Sequence, residues 1–143
     1  MGRDRRIFSK KVELLSKSRE CVLAAVMIFN NPTLRFKSEA FIVLMMIAWT
    51  YLFHAYYHEK KVEYRYFERK GKRRRFYRTD GGQIKHWDLQ KCISASENPL
   101  DRIPCKNLEF LLQLRHEIEH RSAAGLHDYL SGRYQACLLN YNF

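Results

Sequence analysis

The amino-acid sequence predicts a mainly α-helical domain, a helical bundle into which a basic β-hairpin is inserted. Three observations favour this fold class. Apolar residues recur at helical spacing in the first and last thirds of the chain. Between them, aromatic and charged residues roughly alternate on either side of a glycine. The length of 143 residues, 46% of them hydrophobic, fits a single domain over residues 1–143 with one core.

Two long helices are expected in the first part of the chain. The first runs from about Ser9 to Phe29, and Asn30-Asn31-Pro32 ends it because proline lacks a donor N–H. The second starts near Ser38, a suitable N-cap residue, and continues to about Tyr57. Its apolar run, Ala40 to Phe53, is shorter than the roughly 20 residues that a membrane span needs. We therefore favour the central helix of a bundle over a membrane span.

The pattern changes after the second helix. Residues 62–79 indicate a basic β-hairpin with Gly71 at its midpoint. The remaining segments are a short helix from His86 to about Ile93, a connection from Ser94 to Pro104, and helices from Asn107 to about His120 and from Leu126 to Leu139. Because the sequence is still apolar at its end, we expect the domain to continue beyond Phe143.

The charge of the chain is strongly positive and concentrated in one segment. The formal net charge is +11, and 11 lysines and arginines lie between His58 and His86 against four acidic residues. Such a patch favours a polyanionic partner, either nucleic acid or an anionic membrane surface. We predict RNA contacts from these hairpin cations: Arg65, Arg69, Lys72, Arg73, Arg74, Arg75 and Arg78. The interleaved aromatic residues suit base stacking: Tyr64, Tyr66, Phe67, Phe76 and Tyr77. The alternative is a solvated hairpin whose aromatic side chains pack against the protein.

The cysteines and histidines give no specific metal-binding motif. The four cysteines are Cys21, Cys92, Cys105 and Cys137. They contain no CxxC pair, and the N-terminus lacks the apolar core of a signal peptide, so we expect reduced thiols in a cytoplasmic protein. Two histidine pairs at i,i+4 spacing, His54/His58 and His116/His120, leave a zinc site open as an alternative. We expect no metal and no cofactor.

Arg115 and His120 are the best candidates for chemistry. An arginine can hold phosphate oxygens bidentately, and a histidine can move a proton near neutral pH. On a helical wheel the core stripe consists of Leu111, Leu114 and Ile118. Arg115 lies at the edge of this stripe, and Glu119, His116 and His120 follow around the polar side. The alternative is a solvated amphipathic face on which Arg115 and Glu119 form an i,i+4 pair.

The spacing from Arg115 to His120 resembles the R-x4-6-H motif of the HEPN superfamily. The segments Ser16–Ala25, Ser38–Leu52, Leu111–Arg121 and Leu130–Gln135 are similar to an uncharacterised prokaryotic family placed near the HEPN proteins. The resemblance implies a HEPN-like helical bundle that forms a homodimer, with both motifs in a shared cleft. It also implies RNA cleavage without a metal ion, in an antiviral defence or toxin–antitoxin system, where an antitoxin or another defence protein is a possible partner.

The resemblance implies a role for each candidate residue as well. Arg115 would stabilise the scissile phosphate, and His120 would act as general acid or base. His116 would orient the phosphate or neighbouring side chains, and Glu119 completes the set of candidate catalytic residues. Attack by the RNA 2′-hydroxyl would leave a 2′,3′-cyclic phosphate and a 5′-hydroxyl. The alternative function is a non-catalytic RNA-binding and dimerisation module.

Overall fold

Five helices and one two-stranded hairpin make up the part of the chain that the computed structural model describes, residues 10–118 and 126–141. The helices are α1 (Lys10–Phe29), α2 (Lys37–Glu59), α3 (Leu89–Ser94), α4 (Arg102–Ile118) and α5 (Leu126–Tyr141). The strands β1 (Phe67–Lys70) and β2 (Arg73–Phe76) lie between α2 and α3. The prediction of a mainly helical bundle with an inserted hairpin is therefore confirmed.

Helix α2 is the centre of the bundle and packs against each of the other four helices. Its buried apolar side chains form nearly half of the core, and the largest fully buried ones are Phe41, Ile42, Met45, Met46, Trp49 and Tyr57. By length and composition alone this helix could cross a membrane. However, 56% of its most apolar window is buried inside the protein, as in the core helix of a bundle.

The first and last of the described helices meet on α2. The Ser18 hydroxyl of α1 donates to the Ala48 carbonyl at 2.6 Å and lies 2.6 Å from the Tyr141 hydroxyl of α5. A hydroxyl has one proton, and the carbonyl takes it, so the Tyr141 hydroxyl donates to Ser18. One side chain on α1 thus connects the first, second and last helices.

The start of α4 differs from the sequence prediction. The connection was expected to extend to Pro104 and the helix to begin at Asn107, whereas α4 begins at Arg102. Pro104 lies in the first turn, where an N–H has no partner within the helix, so proline is tolerated there. The short helix α3 also begins later than His86, at Leu89, because Asp88 is its N-cap and accepts a hydrogen bond from Lys91 N at 2.9 Å.

The hairpin pairs in a simple antiparallel register, with Phe67 opposite Phe76 and Lys70 opposite Arg73. Gly71 begins the two-residue turn with a φ of 63°, a left-handed value that favours glycine. A third segment extends the pairing at the base, through isolated bridges between Arg65 and His86 and between Arg78 and Ile84. The hairpin is therefore fixed to the segment that leads into α3.

Candidate functional site

Arg115 and His116 line a groove between α2 and α4, which we call the α2–α4 groove. It encloses about 500 Å³ and is bounded by α2, the last turns of α4 and residues 86–90. Leu108 and Leu111 are buried against the core. The next sector of the α4 helix therefore directs Leu112, Arg115 and His116 towards the groove. Arg115 is half-buried and His116 is exposed.

Two histidines that the sequence analysis did not assign to this site also line the α2–α4 groove. His54 comes from α2, and His86 comes from the segment before α3. Their rings lie 5.7 Å apart, and each lies against the ring of Tyr64, at 4.9 Å for His54 and 5.4 Å for His86. Tertiary packing therefore brings two imidazoles to the groove that holds Arg115 and His116.

Both histidines are held in the neutral form by their surroundings. His54 is only 7% exposed, and its Nε2–H donates to the Trp87 carbonyl at 2.7 Å. Burial lowers the pKa of His54 below the ordinary value of 6.5. Although His86 is exposed, partial desolvation of its ring, followed by the positive charge of Lys10, lowers its pKa in the same direction. At pH 7 both rings are therefore neutral, and of the two only the exposed His86 can take up a proton without placing a charge in the core.

A second groove, which we call the hairpin groove, lies beside the first and encloses about 960 Å³. The cationic side chains that line it are Lys10, Lys61, Arg65, Arg74 and Arg78. Among the described residues that line it, Glu63 is the one carboxylate. His86 lines both grooves, so the two adjoin at this residue.

Glu63 holds two of these arginines in place. Arg65 binds the carboxylate through Nε at 2.7 Å and Nη2 at 2.9 Å, and Arg74 approaches it at 3.3 Å. These contacts, led by the Arg65 hydrogen bond, lower the pKa of Glu63, so it is ionised at pH 7. The Arg65 guanidinium also lies over the Phe76 ring, 4.2 Å from its centre. Its plane is thus fixed by an ion pair and a cation–π contact together.

The predicted RNA-binding cations are divided between the groove and the outer surface. Arg65, Arg74 and Arg78 line the hairpin groove. The other predicted cations, Arg69, Lys72, Arg73 and Arg75, are exposed on the hairpin outside it. The prediction of base stacking is wrong for Tyr64, which is only 7% exposed and packs against the rings of both His54 and His86.

Glu119 and His120 lie outside the described residues, so the structure tests neither their roles nor an Arg115–Glu119 pair. Within residues 10–118 and 126–141, no group of three or more histidine, cysteine or acidic side chains could hold a metal ion. In the sequence, His54 was a candidate only as one of two possible zinc ligands, together with His58. No sequence signal linked it to His86, since only the folded chain brings the two rings together.

Comparison with known proteins gives one match. Residues 13–143 match the model of a family described as a domain of unknown function (DUF3644). Neither a curated protein nor a solved structure matches the sequence. The matched residues include all of α2, α3, α4 and the hairpin, together with both grooves except for Lys10. Since the match spans nearly the whole sequence, the chain belongs to the DUF3644 family.

Proposed function

We propose that the protein is an endoribonuclease that cleaves RNA through attack by the 2′-hydroxyl, without a metal ion and as a homodimer. One observation carries the proposal. Arg115 and His116 line the same groove as two neutral histidines, and this groove meets an arginine-lined groove at His86. A polyanionic strand bound by the arginines would therefore be led towards groups that can stabilise a phosphate and move protons.

The chemistry assigns a distinct task to each group. The 2′-hydroxyl loses its proton to a base and attacks the neighbouring phosphorus. The bond to the 5′-oxygen then breaks, and that oxygen takes up a proton, which leaves a 2′,3′-cyclic phosphate and a 5′-hydroxyl. Arg115, half-buried at the core edge, stabilises the negative charge on the phosphate, where partial desolvation strengthens the interaction. His120 serves as general acid or base, while His116 and Glu119 orient the reacting groups.

The dimer and the biological setting rest on the HEPN resemblance. Two copies would place both Arg115–His120 motifs in one cleft, so each copy alone would hold an incomplete site. A nuclease of this kind fits a prokaryotic antiviral defence or toxin–antitoxin system, with an antitoxin or another defence protein as the restraining partner. A cytoplasmic location is part of the same proposal.

The proposal is tested by incubating the protein with a single-stranded RNA and a DNA of the same sequence in the presence of EDTA. RNA should be cut to products with 2′,3′-cyclic phosphate ends, whereas DNA, which lacks the nucleophile, should stay intact. Arg115→Ala and His120→Ala should each slow cleavage by about 10²-fold or more. Arg102→Ala is the matched control, because Arg102 is exposed at the opposite end of the same helix and should not affect the rate.

The second candidate is a non-catalytic RNA-binding and dimerisation module, which the arginine-lined groove favours equally. It predicts salt-dependent RNA binding that His120→Ala leaves unchanged. Intact RNA after incubation with the wild-type dimer, together with such binding, would reject the nuclease proposal and support the binding module.

A further inference from the structure

The hairpin has two faces of different composition. Side chains alternate along a strand, and directly paired residues share a face. The arginine face, as we call it, carries Arg65, Phe67, Arg69, Arg74, Phe76 and Arg78. The opposite face carries Tyr66, Glu68, Lys70, Arg73, Arg75 and Tyr77.

Contacts within the hairpin agree with this division. On the arginine face the Phe67 and Phe76 rings lie 6.0 Å apart, and the Arg74 guanidinium lies 5.5 Å from the centre of Phe67. On the opposite face Glu68 accepts a hydrogen bond from the Tyr77 hydroxyl at 3.2 Å and lies 4.0 Å from Arg75. The one carboxylate of that face is therefore already occupied by its own neighbours.

Only the arginine face continues into the grooves. Arg65, Arg74 and Arg78 line the hairpin groove, which leads to His86 and then to Arg115. Among the described residues, no member of the opposite face lines either groove. A ligand that follows the arginine face therefore reaches the candidate site, and one on the other face does not.

We propose that a single strand of RNA binds along the arginine face and the hairpin groove and reaches Arg115 past His86, while the opposite face stays free. This inference rests on the proposed function only in taking RNA as the ligand. It adds which of the hairpin cations bind the strand and that the strand is unpaired.

The dimensions and the chemistry of the surface favour an unpaired strand. Spaces of about 500 and 960 Å³ are in the range of pockets for small molecules, so they suit a few nucleotides rather than a double helix. The guanidinium planes of Arg65 and Arg74 lie over phenylalanine rings. Unpaired bases can stack on such planes, whereas the bases of a duplex are already stacked within it.

An anionic membrane fits the same surface less well. Peripheral membrane binding is strengthened by exposed apolar side chains that enter the lipid beside the cations. Phe67 and Phe76 are half-buried, and guanidinium groups cover their rings. The surface is also concave, so it can surround a strand better than it can lie on a flat bilayer.

The experiment compares two triple variants of the full chain that remove equal charge. Arg69→Gln, Arg74→Gln and Arg78→Gln change the arginine face, and the control, Lys70→Gln, Arg73→Gln and Arg75→Gln, changes the opposite face. Binding of a labelled 2′-O-methyl oligonucleotide, which lacks the attacking hydroxyl, is measured by fluorescence anisotropy against salt concentration. The arginine-face variant should bind about tenfold more weakly or worse, and its salt slope should fall by about 2. The control should change affinity by less than about threefold, since the charges of the opposite face point away from the bound strand and salt screens their interaction with it at physiological concentration.

Single variants guard against a folding defect in the triple ones. Arg69→Gln and Arg73→Gln are both exposed on the hairpin, and only the first should weaken binding. Circular dichroism melting checks that the helices are unchanged.

Each alternative result has a stated meaning. Equal losses in the two triple variants, or equally tight binding of duplex RNA, would overturn the inference. Binding to phosphatidylserine vesicles with no binding to the oligonucleotide would overturn it in favour of a membrane. Arginine-face binding by a wild-type protein that leaves RNA intact would support the inference and reject the nuclease. If neither triple variant changes the rate of RNA cleavage, the nuclease proposal is supported and the inference about the arginine face is rejected.

Discussion

His54 shows how one buried side chain can make the stability of the whole protein depend on pH. It is almost fully buried, donates to the Trp87 carbonyl and stacks on Tyr64, so the fold accommodates the neutral ring. The nearest titratable groups are His86 and Tyr64, and neither supplies a negative charge at neutral pH that would favour an imidazolium. Protonation of His54 would place an unpaired charge in the core.

The free energy of unfolding should therefore fall as the pH is lowered. The pKa of His54 lies below 6.5 in the folded protein. Below pH 6.5 the unfolded chain binds a proton that the folded chain resists, so acid favours unfolding. Urea unfolding at pH 7.5 and pH 5.5 measures the effect. In His54→Gln the fall should be smaller but not absent, because the pKa of His86 is lowered too. An unchanged pH dependence in this variant would contradict the assignment.

At the scale of single residues, the sequence predicted a candidate site on α4, and the structure gives the positions of two of its residues. Arg115 and His116 were found from their spacing on a helix, and they do line one groove. His54 and His86 were missed because their proximity depends on how the segment before α3 packs against α2. Tyr64 was misjudged because alternation in the sequence cannot tell which aromatic side chain packs inward at the base of a hairpin.

Among the elements, the spacing of apolar residues and the positions of proline predicted the helices well where nearby residues alone determine where a helix ends. α1 ends at Phe29, just before Asn30-Asn31-Pro32, as expected. The start of α4 was placed too late because the prolines of residues 94–104 were taken to exclude a helix. In the first turn of a helix, however, proline removes no hydrogen bond. The hairpin was predicted, but the bridges to Ile84 and His86 were not, since pairing with a third segment depends on the tertiary fold.

Gly71 gives a test of the hairpin as an element. Its φ of 63° disfavours any residue with a Cβ, although no atom lies within 4 Å of the position that the Cβ would take. Gly71→Ala should therefore destabilise the turn by roughly 1 kcal/mol and weaken oligonucleotide binding severalfold, without changing the melting of the helices.

Gly81→Ala is the matched control, because its backbone is not left-handed and its Cβ would make only an ordinary contact at 3.8 Å. If both variants bind the oligonucleotide equally, the geometry of the turn does not matter for binding. Fluorescence anisotropy and circular dichroism on the same samples separate the two effects.

Across the whole molecule, one hydroxyl joins elements from both ends of the chain. Ser18 is fully buried and connects α1 to the Ala48 carbonyl of α2 and to Tyr141 of α5. Ser18→Ala should lower the free energy of unfolding by about 1 kcal/mol, because it removes a buried hydrogen bond to the Ala48 carbonyl and the acceptor of the half-buried Tyr141 phenol.

Ser16→Ala is the control for this change, since Ser16 is exposed on the same helix and its replacement should be neutral or slightly stabilising. Urea unfolding of both variants measures the difference. Equal stabilities would show that the hydrogen bonds around Ser18 are replaced by water at no cost.

His86 lines two adjoining grooves, so under the proposed binding mode the grooves are two parts of one bivalent surface. When one part of a strand binds in one groove, the rest of the same strand is held close to the other groove. The second contact therefore forms at a high effective concentration. A fragment too short to pass His86 loses that advantage entirely. For the proposed RNA ligand, the length of the strand, more than the identity of its bases, would then determine the affinity.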